Sequence, residues 1–177
     1  FIGWYMVSSG LIDRVDVSHY RLSLHLFTAF IILSLVFWKY LKLVNLKLNE
    51  ISFKLNSVKL FLFLIFLQLV IGAFVSGMDA GKIYNTWPSM GPSYFPDDSK
   101  FAELLNISVF DNPSIVQFIH RNLAYLIVFV YLYMLYSVIK NGHFKLRTPI
   151  FIIGLSLLFQ IFLGILTILS GVKIIYA

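Results

Sequence analysis

The chain has 177 residues, 59% of them hydrophobic and 12% charged, with a mean hydropathy of +0.86. That balance excludes an ordinary soluble domain and points to a membrane. With no cysteine, the sequence offers no disulfide, thiolate ligand or iron–sulfur cluster.

The sequence starts at Phe1, inside an apolar segment that ends near Gly10. Four further segments follow, at about 20–39, 58–78, 114–139 and 149–171. Each has the roughly 20 apolar residues that a helix needs to cross a bilayer. Backbone polar groups in lipid must be satisfied within the segment, so the segments read as helices. The expected fold is therefore an all-α integral membrane protein, a helical bundle with four full spans and part of a fifth. The first residue is not methionine, and Ile174-Ile175-Tyr176-Ala177 closes no element. The expectation is one membrane domain, residues 1–177, taken from inside a longer polytopic protein.

The connections alternate in charge. Stretch 39–59 sets Lys39, Lys42, Lys47, Lys54 and Lys59 against Glu50, and stretch 140–147 holds Lys140, Lys145 and Arg147. The long loop 79–113 instead sets Asp79, Asp97, Asp98, Glu103 and Asp111 against Lys82 and Lys100. Lysine-rich loops mark the cytoplasmic side. The net charge of +6 is thus an orientation signal, and nucleic acid is not an expected partner. The loop 79–113 is rich in Pro, Gly and aromatic residues around Tyr84–Pro92, which predicts a folded cap on the outer side. Trp4, Tyr5, Trp38, Tyr40 and Trp87 fall where interfacial aromatic residues are expected.

Two histidines lie just inside spans that enter from that side, His25 and His120. At 1.5 Å per residue both would sit roughly 8–10 Å below the outer surface. A histidine within a membrane span is a functional-site hypothesis by default. Each has an arginine close by, Arg21 one turn before His25 and Arg121 adjacent to His120. Imidazole suits iron and guanidinium suits carboxylates, so the pattern fits a haem held by histidine with its propionates at arginine. Arg121, being adjacent, points to a different face from His120. His19 and His143 read as solvated loop residues. Gly72, Gly77, Gly154 and Gly164 read as sites of close helix packing. A weak repeat relates Gly3-x5-Ser9-Gly10 to Gly164-x5-Ser170-Gly171, and its offset carries His25 to position 186.

These pieces resemble haem A synthase in its mitochondrial and proteobacterial form. The resemblance rests on Gly3-Trp4-Tyr5-Met6-Val7-x-Ser9-Gly10-Leu11 and Tyr20-Arg21-Leu22-x-x-His25-Leu26. It continues in Gly77-Met78-Asp79-Ala80-Gly81-x-Ile83-Tyr84-Asn85-Thr86-Trp87-Pro88-x-Met90-Gly91 and in Gln117-Phe118-x-His120-Arg121-x-x-Ala124-Tyr125, ending at Leu163-Gly164-Ile165-Leu166-Thr167. It implies an eight-helix protein of two four-helix halves, each with a histidine pair. Residues 1–49 would then close the first half and 50–177 would form most of the second.

On this resemblance His25 and His120 are haem-iron ligands, and Arg21 and Arg121 are haem-binding residues. Their partner histidines would lie outside this sequence, so neither pair is complete in it. The implied reaction is oxidation of a methyl group of haem O to a formyl group, giving haem A for cytochrome oxidase. The implied cofactor is haem b and the implied substrate is haem O. Haem O synthase, an electron donor, membrane lipid and a second copy of the chain are the implied partners. The implied location is the bacterial inner membrane, with the mitochondrial inner membrane as the alternative. A bis-histidine cytochrome b-like electron carrier and a proton-coupled transporter remain competing readings, and no catalytic residue is assigned.

Overall fold

The computed structural model describes residues 1–8, 17–44 and 55–173. The loop residues Asp13, Arg14, Asp16, Lys47, Glu50 and Lys54 lie outside these, as does the Ser9-Gly10 end of the first repeat. Five α-helices are described: α1 (Ile2–Ser8), α2 (His19–Leu43), α3 (Leu55–Gly77), α4 (Pro113–Lys140) and α5 (Phe144–Leu169). The last four are long and apolar enough to cross a membrane, and no strand occurs among the described residues. The protein is therefore an all-α integral membrane protein, as its composition indicates.

Helix ends follow local chemistry. Asn112 caps α4, its side-chain oxygen accepting from the Ser114 and Ile115 amides at 3.0 and 3.3 Å, with Pro113 at the first helical position. Helix α4 ends in a Schellman turn. Gly142 has φ +67°, and the amides of Gly142 and His143 return to the carbonyls of Ile139 and Val138. Helix α5 closes in the same way at Gly171 (φ +71°), whose amide and that of Val172 bond Ile168 and Thr167. This helix starts at Phe144, five residues before the predicted start, because Pro149 is carried inside it. A proline in the second turn removes one helical hydrogen bond, a loss the rest of a 26-residue helix absorbs.

The core lies between α3 and α4. Phe61, Leu64, Ile71 and Phe74 pack against Val116, Leu123, Ile127, Val130 and Met134. Helix α4 is central and buries twelve residues, whereas α2 buries only Ser23 and α5 only Ile150 and Gly154. The outward faces of α2 and α5 are apolar, with Leu33, Val36, Phe37, Leu155 and Phe159 exposed. Such faces suit lipid or further helices. A Cβ at Gly154 would overlap the Tyr131 hydroxyl, which donates to the Ile150 carbonyl at 3.2 Å and ties α4 to α5.

The loop between α3 and α4 is folded, with 3-10 turns at Ala80–Lys82, Phe101–Leu105 and Ile107–Asp111. Met90 is 1% exposed and pairs its amide with the Ser93 carbonyl at 2.8 Å. The Thr86 hydroxyl donates to the Ser89 carbonyl and accepts from the Gly91 amide, at 2.9 and 2.8 Å. At one end Asn85 donates to the Ile168 carbonyl of α5, 3.1 Å away. At the other, Asp111 accepts from Tyr20 of α2 at 2.8 Å. The loop thereby lies across the ends of all four long helices.

Candidate functional site

His25 and His120 both occupy the loop-side turns of their helices, the seventh residue of α2 and the eighth of α4. Each is half-buried and faces the helix that precedes its own. A Cβ built on Gly3 of α1 would stand 3.2 Å from His25 Cε1, and one built on Gly72 of α3 would stand 3.2 Å from His120 Cε1. Among the described residues the His25 ring nitrogens make no hydrogen bond. His120 Nδ1 is buried without a partner, and its Nε2 lies 3.2 Å from the Gln68 amide nitrogen. The same amide donates to the His120 carbonyl at 3.3 Å.

A buried polar atom without a partner costs about 1–3 kcal/mol, so a ring nitrogen left open in an apolar bundle suits an acceptor role toward a metal. The half-buried rings, the glycine opposite each and the free nitrogens fit axial ligation of a haem. The histidines face different helices, His25 packing on α1 and His120 on α3. No cluster of three or more His, Asp or Glu that could hold a bare metal ion occurs among the described residues.

The two arginines diverge. Arg21, half-buried, lies over the Tyr5 ring, its guanidinium carbon 5.4 Å from the centroid. It is on the same α1-facing side as His25 and makes no ion pair among the described residues. Arg121 is 7% exposed, and its guanidinium is committed to the loop. Nη1 donates to the carbonyls of Thr86 and Ser89 at 2.9 and 3.2 Å, and Nη2 donates to that of Tyr84 at 2.9 Å. The propionate role expected of Arg121 therefore meets a different geometry, in which carbonyls take the donors that would bind a carboxylate. The cause is the one-residue offset from His120, which turns the side chain toward the loop.

Gln117 adds a second prop, donating to the Tyr84 carbonyl at 3.0 Å. Tyr84 in turn donates its hydroxyl to Asp97. Burial, then that hydrogen bond, pushes the phenol up to about 12. Burial pulls Asp98 upward as well, but hydrogen bonds led by Ser114, at 2.6 Å, outweigh it and hold this carboxyl below its usual range.

His19 departs from the solvated loop position expected of it. It opens α2, with its ring edge-on to Phe74 at 5.3 Å and Nε2 3.6 Å from Asp111. Gly77 makes this approach feasible, since a Cβ there would stand 2.9 Å from His19 Cα. His143 precedes α5 and is half-buried. Gly72 serves an imidazole rather than a helix backbone, and a Cβ at Gly164 would meet nothing within 4 Å. Gln68, Gly3 and Gln117 carry site geometry that the sequence reading missed. Gln68 and Gln117 are amides within apolar spans, and that polarity was the available signal.

The whole sequence, residues 1–177, matches the family model COX15-CtaA, described as cytochrome oxidase assembly protein. The chain belongs to this family. It is 48% identical over 178 residues to a protein named Heme A synthase from Pelagibacter ubique, covering 100% of the chain and 52% of that relative. It is 40% identical over 181 residues to Heme A synthase of Wolbachia pipientis wMel, covering 100% of the chain and 50% of the relative. Against the same-named protein of Rickettsia bellii RML369-C the identity is 37% over 187 residues, covering 100% and 54%. The chain spans about half the length of these curated relatives. No solved structure matches it.

Proposed function

We propose that this COX15-CtaA chain forms part of a haem A synthase, an oxidoreductase that converts a methyl group of haem O to a formyl group and so supplies haem A to cytochrome oxidase. The observation that carries the reading is the matched seating of His25 and His120, each half-buried beside a glycine, with His120 Nδ1 buried without a partner and His25 making no hydrogen bond among the described residues. Haem b, when bound, supplies a redox-active iron. The protein's own part is to hold and orient. His25 and His120 would each give an imidazole nitrogen to iron, and Arg21, which makes no ion pair among the described residues, would bind a propionate. Arg121 instead fixes the loop over the helix ends, where it excludes water from the layer in which both histidines lie.

The two histidines serve two halves, residues 1–49 closing one and 50–177 forming most of the other. Haem O, an electron donor and haem O synthase are the partners this chemistry requires, and the bacterial inner membrane is the setting. A second copy of the chain is a further partner. The decisive experiment supplies haem O and a reductant to the purified full-length protein and follows haem A by mass spectrometry. Formation of haem A is the expected result. A stable b-type spectrum with no conversion would favour an electron carrier, and absence of any Soret band would favour a transporter.

A further inference from the structure

We infer that Gly3 and Gly72 are positioning residues: each is a side-chain-free seat that fixes the plane of the imidazole packed on it. The inference rests on the haem-ligand reading of His25 and His120. In both pairs the glycine is on the preceding helix, and a Cβ would stand 3.2 Å from the ring Cε1. In both, Nδ1 is the next atom out, at 3.7 Å for His25 and 3.9 Å for His120. Two pairs on different helices with the same ring edge presented to a glycine are hard to ascribe to general packing. Gly77 and Gly154, for comparison, admit backbone and a phenol respectively.

Contact at 3.2 Å is tight, so an added methyl would move the ring by a few tenths of an ångström or tilt it. Axial ligation depends on ring orientation, and groups that orient a metal-bound histidine commonly change affinity by about 10-fold to 100-fold when altered. Gly164 repeats the Gly3 sequence pattern, and a Cβ there meets nothing within 4 Å. The Gly3-to-His25 interval counted from Gly164 reaches position 186, the site the sequence repeat gives for another histidine.

The test uses the full-length protein and does not depend on turnover. Gly72→Ala is made in the wild-type and His120→Ala backgrounds, and the thermal midpoint of the haem-free protein is measured. Gly81→Ala serves as a matched control, since its Cβ would stand 3.2 Å from Val172 Cγ2 and no histidine is involved. Alanine is the better helix former. Gly72→Ala should therefore lower the midpoint when the ring is present and raise it when the ring is gone. In haem-loaded protein Gly72→Ala should shift the low-spin electron paramagnetic g-values and weaken haem affinity about 10-fold, with Gly81→Ala unchanged. Gly3→Ala should do the same for the other haem. An equal effect of Gly72→Ala in both backgrounds would overturn the seat. Unchanged g-values and affinity in Gly72→Ala, with His120→Ala altered, would overturn its positioning role alone. Unchanged spectra in both variants would remove the ligand reading and this inference with it.

Discussion

Arg21 and Arg121 each neighbour a histidine, yet the geometry divides their work. Arg121 reaches three loop carbonyls from two nitrogens of a planar fork, a geometry that the single nitrogen of a lysine does not reproduce, so Arg121→Lys should not rescue it. Leaving buried carbonyls unpaired costs about 1–3 kcal/mol. Arg121→Gln should accordingly lower stability by about 2–3 kcal/mol and speed protease cleavage around Tyr84–Gly91. Arg21→Ala should leave cleavage at the wild-type rate and instead perturb the haem spectrum. A loop equally protected in both variants would contradict the division. His25 and His120 were legible in the sequence because imidazole inside an apolar span is costly enough to stand out. Gly3 and Gly72 were not, since one glycine in an apolar helix looks the same whether it meets a backbone or a ring. His19 was misplaced for a related reason. Its burial comes from Phe74 and Asp111, each more than 50 residues away in sequence.

The loop between α3 and α4 holds its shape through groups that titrate at opposite ends of the pH scale. Tyr84 stays neutral in the folded loop up to about 12, whereas the unfolded phenol ionises near 10. Its contribution is complete below pH 10 and is lost as pH rises from there toward 12. Asp98 is held below its ordinary value of 3.8, so its contribution is present above that value and is lost as pH falls through the depressed one. Hydrogen-exchange protection within residues 84–98, taken relative to the intrinsic exchange rate at each pH, should therefore be highest across the neutral range and fall at both extremes. Tyr84→Phe should remove the alkaline fall while keeping the acid one. An unaltered alkaline limb in that variant would show that another group controls it. The sequence predicted a folded cap from composition alone, and its Pro, Gly and aromatic content did signal order. Which residues anchor it was hidden, because the anchors join the loop to three separate helices: Gln117 and Arg121 of α4, Tyr20 of α2, and the Ile168 carbonyl of α5 that Asn85 reaches. The helices were easier to place because twenty apolar residues admit few alternatives. The largest differences are at the ends, where α2 runs on to Leu43 and α5 begins at Phe144 with Pro149 inside it.

For the whole molecule, the helix ends near the histidines lie on the side of the acidic loop, and the described lysines Lys39, Lys42, Lys59, Lys140 and Lys145 lie at the opposite helix ends. Reporter fusions at Asn49 and Ser99 should give opposite signals, with Asn49 cytoplasmic. Equal signals would refute the orientation. The exposed apolar faces of α2 and α5 suit lipid or the packing of other helices. Periodicity and charge could predict the spans and their alternation, but that His25 packs on Gly3 of α1 and His120 on Gly72 of α3 needed coordinates. The most direct test of the central claim is the haem complement of full-length protein carrying His25→Ala or His120→Ala, read by Soret spectrum together with haem A yield. Each variant should show a weakened or shifted haem spectrum and little or no haem A. Wild-type spectra with wild-type haem A yield in both variants would contradict haem ligation by these histidines.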